Sequence, residues 1–271
     1  MQDVFTGSPG KETFIMNSPK QIAESYIETG AAKAEMPKLR MFLLAIFAGA
    51  FIAFAGVAAT VGTALLGKIV GAAIFPAGLA MVVVFGSELF TGNNLMIISA
   101  LEKRISVQQL LMAWLIVWLG NLAGSLFVAV FSVIDGSFDA VYETLVATAT
   151  AKVSLSFGTA VIRAMLCNIL VCVAVWMTMA AKDAAGKIIC LYLPIMTFVV
   201  CGYEHSIANM FYIPAGLLAA ARYGITAEGL TWGACFLKNL LPVTLGNMIG
   251  GVGLGALLHA IYLPARKTET V

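Results

Sequence analysis

The fold of this chain is decided by Gly86-Ser87-Glu88-Leu89-Phe90-Thr91-Gly92-Asn93, a polar stretch in the middle of a long apolar segment. A second stretch, Gly202-Tyr203-Glu204-His205-Ser206-Ile207-Ala208-Asn209, matches it at Gly, Glu and Asn. Farther along, Leu119-Gly120-Asn121-Leu122-Ala123-Gly124 matches Leu245-Gly246-Asn247-Met248-Ile249-Gly250. Two matches in the same order predict duplicated halves, because self-similarity is the signature of a repeat architecture.

Apolar segments surround these stretches. Of the 271 residues 61% are hydrophobic and only 11% are charged, whereas soluble domains have about a quarter charged residues. A helix of about 20 apolar residues crosses a bilayer core. The predicted spans are Met41–Leu66, Ile69–Leu101, Leu110–Ile134, Phe157–Ala181, Ile188–Ala221 and Leu230–Leu263. Each half then has three spans, so the halves have opposite orientations, which is typical of transport folds.

The predicted fold is therefore an all-α membrane protein with six transmembrane helices per protomer, built as an inverted 3+3 repeat. Gly86 and Gly202 relax the second and fifth helices where polar residues lie at membrane depth. Irregular backbone is tolerated there only where it faces protein or a water-filled cavity. We predict that both helices are broken, with Pro194 and Pro214 as further breaks. The alternative is a pair of ordinary kinked helices with Ser, Thr and Asn capping one another.

Composition also excludes several functions. The net charge of +2 and the lack of a Lys or Arg cluster argue against a nucleic-acid partner. The five cysteines lie in or beside apolar stretches without metal-ligand spacing, so we interpret them as small buried hydrophobes and predict no metal and no cofactor. No hydrolase, protease or dinucleotide motif occurs, and we predict no enzymatic activity.

Lys and Arg in the connecting segments divide unevenly between the two sides of a six-span chain. The richer side has Lys33, Lys38, Arg40, Lys103, Arg104, Lys182, Lys187, Arg266 and Lys267, and the other has mainly Lys68, Lys152 and Arg222. By the positive-inside rule both termini are cytoplasmic, in a multi-pass protein of the cell (inner) membrane. We expect a cytoplasmic segment over residues 1–40, a channel domain over 41–263 and a cytoplasmic tail over 264–271.

Two further helices are predicted outside the spans. Ile22, Ala23, Tyr26 and Ile27 recur at helical spacing among polar residues, which indicates an interfacial helix over Ser18–Lys33. A short surface helix is expected over Val141–Lys152, on the opposite side of the membrane.

Glu88 and Glu204 occupy equivalent positions in the repeat. A buried carboxylate must be paired, protonated or heavily hydrogen-bonded. We interpret both as structural carboxylates that accept hydrogen bonds at the breaks, with a proton relay as the alternative. Asn121 and Asn247 lie inside Gly-xxx-Gly pairs, which allow close helix contact. They are expected to bond the broken loops or simply to belong to the packing contact, and the two readings are compatible.

His205 stands where the first half of the repeat has Leu89. A neutral imidazole donates one hydrogen bond to an oxyanion and an imidazolium also supplies charge, so this asymmetry favours a functional role. The alternative is a core histidine fixed by a neighbouring carbonyl. Lys33 and Lys152 flank the spans on opposite sides, where they either attract anions into vestibules or are ordinary solvated lysines.

The two glutamate-containing stretches resemble the signature loops of the formate/nitrite transporter family. The resemblance extends over Lys33–Tyr262 and includes Cys167-Asn168-Ile169-Leu170-Val171-Cys172 and Pro242-Val243-Thr244-Leu245-Gly246-Asn247. It implies a homopentamer with one aquaporin-like pore in each protomer and none along the fivefold axis.

The resemblance also implies roles for individual positions. Thr91 and His205 would form a central polar pair on the substrate pathway, with Asn168, Asn209 and Asn247 near it. One constriction, on the cytoplasmic side, would comprise Leu79, Leu89 and Phe90. The other would comprise Phe75, Val171 and Phe198, and the anion-attracting vestibule lysines would be Lys33 and Lys152.

The predicted function is a channel for small monovalent anions in a lipid bilayer, with formate first and nitrite or hydrosulfide as alternatives. A bare anion meets a large desolvation penalty between apolar rings, so a proton is expected to accompany it at low pH. A channel for neutral solutes is the competing transport function, because an apolar pore with one histidine suits it. An intramembrane enzyme would need a nucleophile and a base, or a metal cluster, at one depth, which two histidines make improbable.

Overall fold

The structure, a computed structural model, describes residues 16–263, which contain helices and no strand. Residues 1–15 and 264–271, where part of the predicted N-terminal segment and the predicted C-terminal tail fall, lie outside the described residues. The α-helices in chain order are α1 Pro19–Glu35, α2 Lys38–Leu66, α3 Lys68–Ile74, α4 Pro76–Phe85, α5 Phe90–Asn93, α6 Ile97–Leu101, α7 Val107–Ile134, α8 Tyr142–Val153, α9 Phe157–Ala180, α10 Ala184–Cys201, α11 Ser206–Tyr223, α12 Trp232–Ala234 and α13 Leu241–Tyr262. A 3₁₀ turn, Asn94–Met96, joins α5 to α6, and a π-helical segment, Cys235–Leu240, joins α12 to α13.

Six helical segments in the described part of the chain are long and apolar enough to cross a membrane. They are Lys38–Leu66, Lys68–Phe85, Val107–Ile134, Phe157–Ala180, Ala184–Cys201 and Trp232–Tyr262. Large apolar side chains such as Phe54 and Leu65, which are 52% and 66% exposed, lie on the outside of the bundle. Exposed apolar surface of this extent is typical of a chain embedded in lipid or in contact with other subunits.

The second and fifth predicted spans are broken, so the alternative of ordinary kinked helices is wrong. Gly86 is the C-cap residue of α4 and α5 begins at Phe90, while Gly202 is the C-cap residue of α10 and α11 begins at Ser206. Gly86 and Gly202 have φ angles of +77° and +68°. This left-handed backbone, which favours glycine, ends the helix at each break.

The prolines do not add breaks, and that part of the prediction is wrong. Pro194 lies inside α10 and Pro214 lies inside α11, and both helices continue through them. Proline removes one intrahelical hydrogen bond, but packing against neighbouring helices keeps such a helix intact in a membrane protein.

The two halves pack in the same way. Helix α2 lies along α7 in the first half, and α9 lies along α13 in the second. A Cβ atom on Gly124 would collide with the carbonyl oxygen of Ile46, and one on Gly250 would collide with that of Met165. Glycine is therefore needed at both crossings, as in small-xxx-small contacts between membrane helices.

The two helices predicted outside the spans are present as α1 and α8. Their apolar residues pack against the bundle of spanning helices. Ile22, Ala23 and Tyr26 of α1 are at most 3% exposed, and Leu145 and Ala149 of α8 are fully buried. A helix whose apolar face is covered by protein does not need lipid to bury it. The cysteines also differ in part from expectation, because Cys190 is half-buried and Cys201 is exposed, while the other three are buried.

Candidate functional site

At the first break, Glu88 is held by two side chains from other parts of the chain. Lys33 Nζ, on α1, lies 2.7 and 2.6 Å from the two carboxylate oxygens of Glu88. Asn93 donates its side-chain amide to the same carboxylate at 2.7 Å. The Lys33 side chain is only 21% exposed. It is therefore not a solvated surface lysine, and its charge is balanced at the break.

The second break repeats this arrangement. Lys152 Nζ, on α8, lies 3.2 Å from each oxygen of Glu204, and Asn209 donates to that carboxylate at 2.6 Å. The Lys152 side chain is 15% exposed. Since a buried charge is tolerated when it is paired and hydrogen-bonded, the two ion pairs account for carboxylates at this depth.

The loop at the first break is also bonded by Asn121 of α7. Its Oδ1 accepts from the backbone N–H of Phe90 at 2.9 Å. Its Nδ2 donates to the carbonyl oxygens of Ala45 and Glu88 at 2.7 and 2.9 Å. One side chain thus bonds two backbone groups where the helix is interrupted and joins them to a carbonyl of α2.

Asn247 of α13 does the same at the second break. It accepts from the N–H of Ser206 at 2.9 Å and donates to the carbonyls of Ala164 and Glu204 at 2.8 and 3.0 Å. The bonding predicted for the two asparagines is present, together with the close glycine packing that was the compatible alternative.

The repeat is longer than the sequence matches indicate. Lys33 on α1 and Lys152 on α8 make equivalent contacts, so α1 and α8 belong to the repeat as well. The signal in the sequence is short, Ala32-Lys33 against Ala151-Lys152. Each half therefore consists of an amphipathic helix, an unbroken span, a broken span and a second unbroken span.

The two breaks meet through one side-chain contact. Thr91 Oγ1 lies 3.0 Å from His205 Nε2. Both residues are buried, Thr91 with 0% and His205 with 3% of its surface exposed. Thr91 lies in α5 and His205 is the N-cap residue of α11. The predicted central pair is thus brought together from positions 114 residues apart.

The hydrogen bonds of His205 assign its tautomer. Nδ1 accepts from the backbone N–H of Ala208 at 3.1 Å. A backbone N–H only donates, so in the neutral ring the proton lies on Nε2, which donates to Thr91 Oγ1. The Thr91 hydroxyl oxygen accepts this hydrogen bond, so the hydroxyl proton remains available for donation to another group. An imidazolium would place an N–H against that of Ala208, so the geometry favours the neutral ring, and the alternative of a ring fixed by a carbonyl is wrong.

Two cavities open beside the breaks, and we name them after their carboxylates. The Glu88 cavity has a volume of about 640 Å³, and Leu79, Leu89 and Gly92 form part of its wall. The Glu204 cavity has a volume of about 270 Å³, and Phe75, Phe198 and His205 form part of its wall. The Thr91–His205 contact therefore joins α5, whose Gly92 lines the Glu88 cavity, to His205, which lines the Glu204 cavity.

Aromatic rings enclose His205 on the side of the Glu204 cavity. The Phe198 ring stacks on the imidazole with centroids 5.7 Å apart, and Phe75 meets Phe198 edge-on at 5.9 Å. Leu79 and Leu89 are at most 4% exposed on the other side. Phe90 and Val171 are also buried, but they line neither cavity. The structure therefore places only four of the six predicted constriction residues in a cavity wall.

Of the remaining predicted residues, Asn168 lies beside the Thr91–His205 pair and Asn209 lies beside Glu204. Asn168 donates its Nδ2 to the carbonyl of Thr91 at 3.3 Å, to Asn94 Oδ1 at 2.8 Å and to the carbonyl of Asn247 at 2.7 Å. Its Oδ1 has no hydrogen-bond partner among the described residues. Asn209, by contrast, directs its side chain to Glu204 and is fully buried, so the structure does not bring it to the Thr91–His205 contact.

Asn239 is a site residue that the sequence analysis missed. It lies in the π-helical segment, where its Nδ2 donates to the carbonyl of Lys152 at 2.9 Å and its Oδ1 accepts from Asn209 at 2.7 Å. In the first half Trp114 has the comparable place, donating from Nε1 to the carbonyl of Asn93 at 2.9 Å. A π-helical turn is rare and often found at functional sites, but it leaves little mark in a sequence.

One ionisable group of the Glu88 cavity outside the spans is Tyr26. Burial, together with the negative charge of Glu88, raises the pKa of Tyr26 well above its ordinary value. The phenol therefore keeps its proton, and it donates to the carbonyl of Gly92 at 3.4 Å. Helix α1 is in this way bonded to α5, the helix that carries Thr91.

Paired cavities at two broken helices, related by an inverted repeat of membrane-spanning helices, define a multi-pass membrane transport protein. The profile of one family, described as formate/nitrite transporter, matches residues 20–261. The chain belongs to the formate/nitrite transporter family.

Named relatives agree with this assignment. A probable formate transporter of Methanothermobacter thermautotrophicus is 39% identical over 269 residues, which cover 89% of this chain and 95% of the relative. The formate channel FocA of Haemophilus influenzae is 38% identical, over 89% of this chain and 93% of the relative. A solved structure, a pentameric formate channel with formate bound, has 34% identity and a TM-score of 0.74, covering 83% of this chain and 98% of that one.

Proposed function

We propose that this chain conducts small monovalent anions, formate first, through each protomer of a homopentamer in the cell (inner) membrane. The observation that carries the proposal is the Thr91–His205 contact at 3.0 Å, which joins α5 beside the Glu88 cavity to a residue that lines the Glu204 cavity. The formate channel among the relatives and the pentameric channel with bound formate support the choice of substrate and the assembly.

The pathway runs from one cavity to the other past apolar side chains on both sides of the central pair. Leu79 and Leu89 narrow the pathway on the side of the Glu88 cavity, and Phe75 and Phe198 narrow it on the side of the Glu204 cavity. An anion loses its hydration between them, and fixed donors must replace it. The Thr91 hydroxyl, whose own proton is not used by His205, is the donor that the geometry makes available.

A proton accompanies the anion at low pH. The central region offers a donor, the Thr91 hydroxyl, and an acceptor, the buried Oδ1 of Asn168 that has no partner among the described residues. One donor and one acceptor suit a neutral carboxylic acid better than a bare carboxylate. Because His205 gives up its bond to Ala208 if it gains a proton, water in the cavities is the proton source.

The orientation follows from the excess of Lys and Arg. Lys103, Arg104 and Lys182, in connections, and Lys187, in the first turn of α10, lie on the side of α1 and the Glu88 cavity. This side is cytoplasmic by the positive-inside rule, with both termini. Residues 1–40 and 264–271 then flank the channel domain, 41–263, on the cytoplasmic side. The chain performs no covalent chemistry in this proposal.

Uptake by purified protein in liposomes tests the proposal. Formate, nitrite, hydrosulfide, acetate and lactate are compared across pH, with glycerol as a neutral solute. We expect saturable formate uptake that exceeds acetate and lactate uptake and rises as pH falls. Nitrite or hydrosulfide uptake above that of formate would reassign the substrate within the family, and glycerol uptake without any anion uptake would contradict an anion channel.

A further inference from the structure

The Glu88 cavity and the Glu204 cavity differ in the hydrogen bonds of their hydroxyl groups. In the Glu88 cavity the hydroxyl groups of four lining residues donate to backbone carbonyls, namely those of Tyr26, Thr29, Ser87 and Thr178. The remaining hydroxyl residue of this lining, Ser25, is exposed. The hydroxyl protons inside the Glu88 cavity are therefore already bonded to the protein.

In the Glu204 cavity most hydroxyl groups have no such bond. Of the hydroxyl residues that line it, Thr60 and Thr148 each donate to a backbone carbonyl. The others have no hydrogen-bond partner within residues 16–263, and they are Thr63, Thr144, Tyr203 and Tyr212. Because hydroxyl groups inside a protein normally find a partner, this lining favours a hydrogen-bond acceptor in the cavity itself.

Tyr212 is fixed beside the narrowing of the pathway on this side. Its ring stacks on that of Phe75 with centroids 6.5 Å apart and meets the ring of Phe211 edge-on at 5.2 Å. Lys152 Nζ lies 5.6 Å from the centroid of the same ring, within the range of a cation–π interaction. Three neighbours therefore hold the phenol in the cavity wall, next to a residue of the narrowing.

The repeat shows that this phenol belongs to the second half alone. Continued three residues beyond its final asparagine, the alignment of the two breaks pairs Met96 with Tyr212. Met96 is fully buried and lines neither cavity. Tyr212 thus replaces an apolar residue of the first half with a hydrogen-bond donor, as His205 does opposite Leu89. Both polar replacements line the Glu204 cavity.

We propose that the Tyr212 hydroxyl donates a hydrogen bond to the substrate in the Glu204 cavity, and that this contact selects small oxyanions over hydrosulfide. The proposal rests on the proposed anion-channel function. The oxygen atoms of formate and nitrite accept strong hydrogen bonds, whereas sulfur is a weak acceptor. A site built to bond a polar atom disfavours an analogue that lacks it, because the donor is left unpaired. Thr63 and Thr144 offer further donors in the same cavity wall.

The full chain, purified and placed in liposomes, tests this contact through Tyr212→Phe, which removes the hydroxyl group and keeps the ring. Tyr212→Met, which introduces the residue of the first half, is a second variant without the hydroxyl group. Tyr142→Phe is the matched control, because Tyr142 also has a hydroxyl group without a hydrogen-bond partner among the described residues but lies outside both cavities. Initial uptake of formate, nitrite and hydrosulfide is measured over a range of concentrations, and thermal unfolding in detergent checks the fold.

We expect Tyr212→Phe and Tyr212→Met to raise KM for formate and for nitrite about fivefold, because one hydrogen bond to the substrate is lost. Maximal rates and KM for hydrosulfide stay the same, and Tyr142→Phe has the values of wild type. An unchanged KM for formate and nitrite would overturn the inference. An equal rise for all three ions would contradict it too, since that result indicates a distorted pathway.

The outcomes separate this contact from the proposed function. If the wild-type chain takes up no hydrosulfide, the oxyanions decide alone: a rise in KM at constant maximal rate supports the contact, and a fall in maximal rate alone contradicts it. Wild-type uptake of formate or nitrite with no effect of Tyr212→Phe leaves the anion channel intact and removes only the contact. If the wild-type chain takes up neither oxyanion, the proposed function fails, and the contact fails with it.

Discussion

The break at Glu88 and the break at Glu204 have the same construction and differ at a few positions. Each has a lysine from an amphipathic helix, a glutamate, an asparagine on that glutamate, and a second asparagine that bonds three backbone groups. The residue after the glutamate differs, because one break has Leu89 and the other has His205. The shared residues build the two breaks, and the unshared residue supplies the polar group at the centre.

A second difference concerns the helices behind the breaks. Gly49 of α2 touches the backbone of Asn121, whereas the corresponding contact in the second half is made by Asn168, whose amide donates to the carbonyl of Asn247. Gly251 leaves room for Asn168, because a Cβ atom there would collide with its amide. The second half thus has an additional buried amide beside Thr91.

The largest expected effect concerns the feature that the breaks share. Replacing Asn121 or Asn247 with alanine removes three hydrogen bonds, two of them to backbone groups of the break. We expect each variant to lose roughly 4 kcal/mol of unfolding free energy, measured by denaturant titration in detergent. Each variant is the control for the other. A large loss at one position with almost none at the other would contradict equivalent construction.

A smaller loss is expected from the carboxylates. Glu204→Gln leaves the Lys152 ammonium, which is 15% exposed, without its counter-charge and lowers the unfolding free energy by about 3 kcal/mol. Glu88→Gln costs less, because Lys33 is 21% exposed and reaches water more easily. Adding Lys152→Met to Glu204→Gln recovers most of the loss. If the double variant is less stable than Glu204→Gln alone, Lys152 and Glu204 are not each other's main electrostatic partners.

The smallest expected losses of stability come from Asn239 in the second half and Trp114 in the first half, which bond the two breaks differently. Asn239→Ala removes the bonds to the Lys152 carbonyl and from Asn209, and we expect a loss of about 2 kcal/mol. Trp114→Phe removes one bond, to the carbonyl of Asn93, and costs about 1 kcal/mol. Hydrogen exchange measured by mass spectrometry locates the change. Faster exchange near Glu88 in the Asn239 variant would contradict an effect confined to the second break.

The spans and breaks were predictable because they depend on local features. Apolar length gives the six spans, and glycine beside polar residues at membrane depth gives the two breaks. The two three-span halves followed from repeated motifs. The presence of α1 followed from apolar residues at helical spacing, but the surface that covers α1 and α8 depends on tertiary packing.

The partners of the lysines were not predictable from local sequence. Lys33 and Glu88 are 55 residues apart, and Lys152 and Glu204 are 52 apart. Nothing between them in sequence indicates that they touch, so a solvated lysine and a vestibule lysine were both reasonable readings. Asn239 was missed for a different reason, because a π-helical turn shifts its side chain onto the break and has no sequence signature.

The central claim concerns His205, the polar side chain of the second break that is replaced by Leu89 in the first. His205→Asn keeps an N-cap acceptor for α11 but is too short for the contact with Thr91, while Thr91→Val removes only the hydroxyl. Both variants are compared with wild type by initial formate uptake into liposomes across pH, with thermal unfolding in detergent as the check on folding.

We predict that each variant keeps its fold and loses about tenfold or more of formate uptake, because one hydrogen bond of about 1.4 kcal/mol is missing where the substrate has lost its water. Folded variants with the uptake rate and pH dependence of wild type would contradict passage at the Thr91–His205 contact.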